Sequence, residues 1–334
     1  MKIAVLGTGS WATALSQVLT DNGHEALMYG IDNAEIQDIN QHHQNRKYFK
    51  DVTFSDKIKA TASLNETIGD ASYILITVPT QFVRSVLEQA KVYFKSPVTI
   101  INASKGFDLT TGKRISDTIR EVVDESQRYE VVSLIGPSHA EEVAIRQLTT
   151  VCAVSLDIEK AKEVQHLFSN EYFRVYRHND EIGAEYGVAL KNVIAIAAGA
   201  ASGLGYGDNT RAALITRGLA EITRFGTRKG GRAETYLGLT GIGDLIVTCS
   251  SLHSRNFMAG YQIGKDNSAK HFMATNKTTV EGIRTCQVIY EDLKNNYSDM
   301  EMPITEAIYH VIYENQRPSD VISTLMLRNL KEEQ

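Results

Sequence analysis

The chain has 334 residues, and at about 150 residues per domain that length points to two domains. Its 35 Lys and Arg against 40 Asp and Glu give a formal net charge of −5. That balance excludes a nucleic-acid binder driven by bulk positive charge but leaves open small anionic ligands held in a local pocket. A hydrophobic share of 43% beside 22% charged residues supplies a sizeable core and excludes global disorder.

The opening residues, MKIAVLGTGS, read as a strand (Ile3–Leu6) running into a glycine loop, not as a signal peptide. A helix over Trp11–Asp21 follows and breaks at Asn22-Gly23. Further strands are predicted at Ala26–Tyr29, Tyr73–Val78, Val98–Ala103, Val131–Ile135 and Arg174–Tyr176, with a helix over Phe82–Val92. Alternation of helices with fully apolar strands predicts a parallel sheet covered on both faces.

Near residue 180 the pattern changes to long helices: Ile182–Ala201, Arg211–Lys229, a segment after Arg255, Val280–Lys294 and Ile304–Tyr313. Pro303 reads as a helix start and Pro318 as a helix boundary. The expected architecture is therefore α/β: an N-terminal Rossmann doubly wound sheet over residues 1–180 and an all-helical C-terminal domain over 181–334. The tail KEEQ reads as a solvated end. The apolar run Val193–Leu204 is too short, and too interrupted by glycine, for a membrane span of about 20 residues. Cys152, Cys249 and Cys286 form no metal-ligand spacing and no disulfide framework. The chain reads as a protein of a reducing compartment.

Gly7-Thr8-Gly9-Ser10-Trp11-Ala12 lies between the first strand and the first helix. There a dinucleotide fold needs glycines: one for the tight turn, and one so that backbone can approach a pyrophosphate held at the helix N-terminus. The third glycine of the full pattern is replaced by Ala12. Asp32, at the end of the second strand, suits an acceptor for the adenosine ribose, and no Arg lies between residues 26 and 45. This favours NAD over NADP. An N-cap for the next helix explains Asp32 equally well.

Three later segments carry chemistry. Lys105, after a strand end in Asn102-Ala103-Ser104-Lys105-Gly106, is able to reach a substrate oxygen, or is an exposed loop lysine. Lys191 interrupts the apolar helix GVALKNVIAIAAGAASG. A lysine there either serves proton transfer or snorkels at the helix rim. Asp244 sits among glycine turns and apolar residues in GIGDLIVTC, where it orients a lysine or a substrate hydroxyl, or caps a helix. Ser254-Arg255-Asn256 offers a hydroxyl, a charged fork and an amide suited to phosphate; a surface ion pair is the alternative for Arg255.

With these segments in order, the sequence resembles the bacterial-type NAD(P)-dependent glycerol-3-phosphate dehydrogenases. The resemblance runs through nearly the whole chain. It rests on GTGSWATAL (7–15), VPTQ (78–81), ASKGF (103–107), GPSHAEEV (136–143), LKNVIAIAAG (190–199), GIGDLIVTC (241–249), SRNF (254–257) and VEG (280–282). It implies a homodimeric, cytoplasmic enzyme that reversibly reduces dihydroxyacetone phosphate to sn-glycerol 3-phosphate for glycerophospholipid synthesis, with NAD or NADP and no metal.

By the same resemblance, Lys191 is the general acid/base and Lys105 lies between cofactor and substrate. Gly136 and Ser138 belong to the substrate loop. Asn192, Asp244, Thr248, Ser254, Arg255 and Asn256 belong to the substrate site, Asn192 and Thr248 helping to hold phosphate. Gly7, Gly9, Ser10, Trp11, Ala140, Arg255, Thr279 and Glu281 contact the cofactor. Ile31 stands where many members carry a basic residue, which argues against strong NADP selectivity. Ala12 and Thr279 also depart from the common pattern. Two rivals are a 3-hydroxyacid dehydrogenase of similar build, which would bind a carboxylate, and a non-catalytic dinucleotide redox sensor, which would not need Lys191 with Asp244.

Overall fold

A computed structural model describes residues 1–330 and 332–333; of the KEEQ tail, Lys331 and Gln334 lie outside the described residues. The chain forms two compact units, one over Met1–Glu185 and one from Tyr186 onward.

The first unit is built on an eight-stranded sheet: β1 (Lys2–Leu6), β2 (Glu25–Tyr29), β3 (Ile58–Thr61), β4 (Tyr73–Ile76), β5 (Val98–Asn102), β6 (Arg128–Ile135), β7 (Thr149–Val154) and β8 (Phe173–His178). The spatial order is β3-β2-β1-β4-β5-β6-β7-β8. From β3 to β6 every neighbouring pair is parallel. The pair β6/β7 is antiparallel, and β8 runs parallel to β7. The sheet is thus mixed, which corrects the expectation of a parallel one. β3 and β7 were not among the predicted strands. β3 has only four residues, one of them the exposed Lys59.

Helices α1 (Ser10–Asp21), α2 (Asn33–Gln37), α3 (Leu64–Ile68), α4 (Thr80–Ala90), α5 (Ile115–Val122), α6 (Ala140–Ala144) and α7 (Ile158–Phe168) connect the strands. Alternate strand residues feed two cores. Ile3, Val5, Leu75, Ile101 and Val132 join Leu15, Val18 and Val164 on one face. Ala4, Leu6, Ile74, Ile76, Ile100 and Val131 join Val83, Leu87 and Ile119 on the other. Burial on both faces is why these strands read as continuous apolar runs.

Strand order reverses between β1 and β4. That is the topological switch point where doubly wound sheets bind ligands, beyond the carboxyl ends of the strands.

The helix α8 (Glu181–Gly203) carries the unit boundary. After it come α9 (Asp208–Arg228), α10 (Asp244–Ser250), α11 (Arg255–Lys265), α12 (Lys270–Thr275), α13 (Glu281–Asn296), α14 (Pro303–Tyr313) and α15 (Pro318–Met326). The described part of the second unit is helical. Pro303 and Pro318 each open a helix, where a missing N–H costs nothing.

α8 and α11 touch backbone to backbone. A Cβ added at Gly260 or Gly264 would lie 2.0 or 2.1 Å from the carbonyl oxygens of Ile196 or Ala200. One added at Gly199 or Gly203 would lie 2.0 or 2.1 Å from those of Phe257 or Tyr261. Glycines on both helices are what permit this approach. Among the described residues, no helix is long and apolar enough to cross a membrane.

Candidate active site

In the first unit, Gly7 directly follows β1 and has φ +126. A Cβ there would lie 2.7 Å from Thr77 Oγ1 just beyond β4, so only glycine fits between the two strand ends. Gly9 is the extended N-cap of α1 and no side chain caps the helix. A Cβ at Gly9 would meet nothing within 4 Å. The positive end of a 12-residue helix therefore faces open space across bare backbone. Ser10 and Trp11 form its first turn, and the buried Trp11 Nε1 has no hydrogen-bond partner among the described residues. An uncapped helix end, an unobstructed glycine and an orphaned indole N–H fit a bound pyrophosphate and its nucleotide.

Lys105 lies in the turn after β5. Asn102 Oδ1 accepts from Ser104 N at 3.0 Å and Ser104 Oγ donates to Val78 O at 2.6 Å, which shapes that turn. Lys105 Nζ donates to Gly136 O at 3.3 Å and to Ser138 Oγ at 3.4 Å, and stands 5.9 Å from the centre of the Trp11 ring. Ser138 Oγ donates to Gly136 O at 2.9 Å. Gly136, with φ +157, lies so close to β7 that a Cβ would be 2.8 Å from Val151 Cα. Four residues picked from the sequence thus gather in one place: Trp11, Lys105, Gly136 and Ser138. Ala140 opens α6 and is buried.

Asp32 is the N-cap of α2. Its Oδ1 accepts from Ala34 N at 2.9 Å and Glu35 N at 3.4 Å, and its Oδ2 accepts from Lys47 Nζ at 3.1 Å. The Lys47 hydrogen bond, with the Ala34 N–H behind it, holds this carboxyl below the usual carboxylate range. The capping alternative is therefore realised, and the carboxylate is still 40% exposed.

The second unit holds a separate group. Lys191 on α8 forms an ion pair with Asp244 Oδ1, Asp244 being the first residue of α10. Both are buried, and Ala189, Leu190, Val193 and Ile194 beside Lys191 are fully buried apolar residues. Charges in such surroundings persist only when paired. Gly241 sets the approach: a Cβ there would lie 2.2 Å from Tyr236 O, so only glycine permits the tight turn into α10. Burial pushes the nearby Cys249 thiol up to about 12, with Lys191 and Asp244 acting on it in opposite senses. It stays a neutral thiol.

Asn192, one residue on, faces different partners. Its Oδ1 accepts from Asn256 Nδ2 at 3.1 Å, and Asn256 Oδ1 accepts from Gly282 N at 2.9 Å near the start of α13. A Cβ on Gly282 would lie 2.6 Å from Asn192 O. Ser254 caps α11, its Oγ accepting from Phe257 N at 3.2 Å, and Arg255 begins that helix with an exposed side chain. Thr248 is buried and its Oγ1 donates to Asp244 O at 2.6 Å. Thr279 and Glu281 flank Val280, the N-cap of α13. Gly282 enters the sequence pattern only as part of VEG; its part in holding Asn256 is a backbone contact that no side-chain reading reveals.

A doubly wound sheet with a glycine loop at its switch point, a lysine and hydroxyl beside it, and a buried lysine–carboxylate pair in a helical unit together define a dinucleotide-dependent oxidoreductase. Comparison with known proteins narrows that class. The NAD-dependent glycerol-3-phosphate dehydrogenase N-terminus profile matches residues 2–161 and the corresponding C-terminus profile matches residues 180–323. Relatives named glycerol-3-phosphate dehydrogenase [NAD(P)+] from Bacillus cytotoxicus and Streptococcus agalactiae are each 48% identical over 332 residues. These alignments cover 99% of this chain and 97% and 98% of theirs. The crystal structure of glycerol-3-phosphate dehydrogenase from Coxiella burnetii superposes with a TM-score of 0.90 at 30% identity, covering 98% of this chain and 99% of that one. The chain belongs to the NAD-dependent glycerol-3-phosphate dehydrogenase family.

Proposed function

We propose that the chain reversibly transfers a hydride between NAD(P)H and dihydroxyacetone phosphate to give sn-glycerol 3-phosphate, supplying glycerophospholipid biosynthesis. The observation that carries this reading is the buried Lys191–Asp244 pair in a chain matched to the family over both halves. The same matches disfavour a 3-hydroxyacid dehydrogenase and a non-catalytic redox sensor.

Residues 1–180 are the dinucleotide-binding domain in this reading, and residues 181–334 the substrate-binding and catalytic domain. Gly7, Gly9, Ser10 and Trp11 hold the pyrophosphate end, Asp32 the adenosine ribose, and Lys105, Ala140, Arg255, Thr279 and Glu281 the remainder. A bound nicotinamide supplies or accepts the hydride. Lys191 gives a proton to the carbonyl oxygen as negative charge develops on it, and takes that proton back in the reverse direction. Asp244 supplies the counter-charge that aims the Lys191 ammonium. Asn192, Thr248, Ser254, Arg255 and Asn256 hold the phosphate, and Lys105, Gly136 and Ser138 orient the rest of the substrate. Such positioning supplies a large part of the barrier reduction. The enzyme works in the cytoplasm as a homodimer.

Steady-state assays with dihydroxyacetone phosphate and 3-oxo acids, each with NADH and with NADPH, test the reading. Turnover of dihydroxyacetone phosphate and not of the 3-oxo acids is expected. The opposite preference, or dinucleotide binding without any turnover, overturns it.

A further inference from the structure

Behind the glycine loop, Thr8, Thr13, Glu35, Asn45 and Lys47, to which the reaction assigns no role, form one network with Asp32 within the first unit. Thr8 Oγ1, on the loop, donates to Glu35 Oε2, and Lys47 Nζ donates to Glu35 Oε1. Lys47 Nζ also donates to Asp32 Oδ2 at 3.1 Å. Asn45 Nδ2 donates to Thr8 O at 2.8 Å and to Thr13 Oγ1 at 2.9 Å, which ties the segment carrying Lys47 to the loop and to α1. Glu35 is buried, whereas the Lys47 side chain is 55% exposed. Lys47 is therefore held by carboxylates at a defined place while its ammonium stays open to a ligand.

An acidic residue at the end of the second strand ordinarily selects a ribose with a free 2′-hydroxyl, because the carboxylate accepts its hydrogen bonds and repels a 2′-phosphate. Here that carboxylate is not a bare anion. Oδ1 is engaged by the backbone N–H groups of α2, and Oδ2 carries Lys47. Ile31, beside it, is exposed and uncharged. Among the described residues, Lys47 is the cation paired with Asp32, and Arg46 turns away to Asp38.

We propose that Lys47 is a specificity-determining residue for the adenosine ribose: its ammonium leaves Asp32 to pair with a 2′-phosphate, so that the chain accepts the 2′-phosphorylated dinucleotide as well as the unphosphorylated one. This rests on the reading that the dinucleotide lies along the glycine loop with its ribose at Asp32. Glu35, fastened to Thr8, keeps the lysine anchored in either state. Without Lys47, Asp32 and Glu35 would face the dianionic 2′-phosphate as two uncompensated charges, while a hydroxyl would scarcely register the change.

The test is direct binding of NADP+ and NAD+ to the full chain by calorimetry, cross-checked by the fluorescence of Trp11, the one tryptophan in the sequence. Lys47→Met is expected to weaken NADP+ by about 10- to 100-fold and NAD+ by less than about 3-fold. Lys47→Arg, which keeps the charge, is expected to retain NADP+ binding. Equal weakening of both dinucleotides would show that Lys47 only braces the loop and overturns the proposal, as does unchanged NADP+ binding. Lys47→Gln, which keeps a donor for Glu35 without the charge, gives the same comparison if the Met variant loses its fold. Wild-type chain that binds neither dinucleotide overturns the underlying placement of the cofactor, and that failure is visible before any variant is made.

Discussion

Lys191 Nζ and the Asp244 carboxylate form a buried ion pair that joins the middle of α8 to the first residue of α10. The pair sets an ammonium against a carboxylate in apolar surroundings, the arrangement that the proposed proton-transfer role needs. Lys191→Ala is expected to lower kcat by ~10²–10⁴-fold, the range for a positioned acid/base. It also leaves Asp244 buried without its partner, at a cost of about 3–5 kcal/mol. Steady-state kinetics on variant shown to be folded by a thermal melt separate the two effects. Near-wild-type turnover would remove Lys191 from the proton-transfer role.

Arg255 calls for a different signature. It starts α11 with an exposed side chain, beside the Ser254 cap and Asn256. A guanidinium that grips phosphate equally in the ground and transition states contributes to binding more than to chemistry. Arg255→Ala should raise KM for dihydroxyacetone phosphate by about 10-fold or more with a smaller change in kcat. An unchanged KM would take Arg255 out of the phosphate site.

The contact between α8 and α11 makes a stability prediction with a functional consequence. At Gly260 an added methyl would lie 2.0 Å from Ile196 O, a backbone atom that cannot swing aside. Gly260→Ala must push the helices apart, at about 1–3 kcal/mol or more, and lower the melting midpoint by about 2 °C or more. The same shift would strain the Asn256–Asn192 hydrogen bond, 3.1 Å long, so KM for the substrate should rise as well. A variant melting with the wild type would contradict the close approach.

Glu221 makes stability depend on pH. Its buried carboxylate accepts from Ile304 N at 2.6 Å, and from Thr305 N and Thr305 Oγ1 at 3.1 and 3.0 Å. Burial outweighs these hydrogen bonds and Arg224, raising its pKa from 4.5 to about 7. Between those values the folded chain holds a proton that the unfolded chain has released. Its contribution is therefore full below the unfolded pKa and is lost as pH rises through about 7. The slope approaches 1.4 kcal/mol per pH unit, roughly one proton's worth. Denaturant melts of wild type and Glu221→Gln from pH ~4.5 to ~7.5 should show a steeper decline in the first than in the second, by roughly one proton's worth, since Glu185, also raised to about 7, titrates in both. Parallel curves would mean that Glu221 does not titrate there.

The first half of the fold was legible because strands buried on both faces announce themselves as apolar runs, and because a glycine loop needs a strand before it and a helix after it. β3 leaves little trace in the sequence, being short and carrying exposed Lys59. The reversed direction of β7 is a property of the β6/β7 ladder and not of either strand alone. Asp32 was legible as either a cap or a ribose acceptor. The cap is present, yet its carboxylate stays partly exposed, so the two roles are not exclusive. Lys47 lies just beyond the Arg-free stretch 26–45. Lys47 stands fifteen positions after Asp32, and the turn pinned by Asn45 brings the two within 3.1 Å.

The linear chain carries the chemistry available: which residues are able to hold phosphate, carry a proton or turn a backbone. Local pattern reports such properties because each depends on one side chain and its near neighbours along the chain. Pairing belongs to the folded chain alone. Lys191 met Asp244 across 53 positions of chain, Lys105 met Gly136 and Ser138 across a strand and a helix, and Asn256 met Asn192 because four glycines let two helices close up. Pairing of that kind is set by how apolar faces pack and which backbones are allowed to touch, and no spacing in the linear chain encodes it.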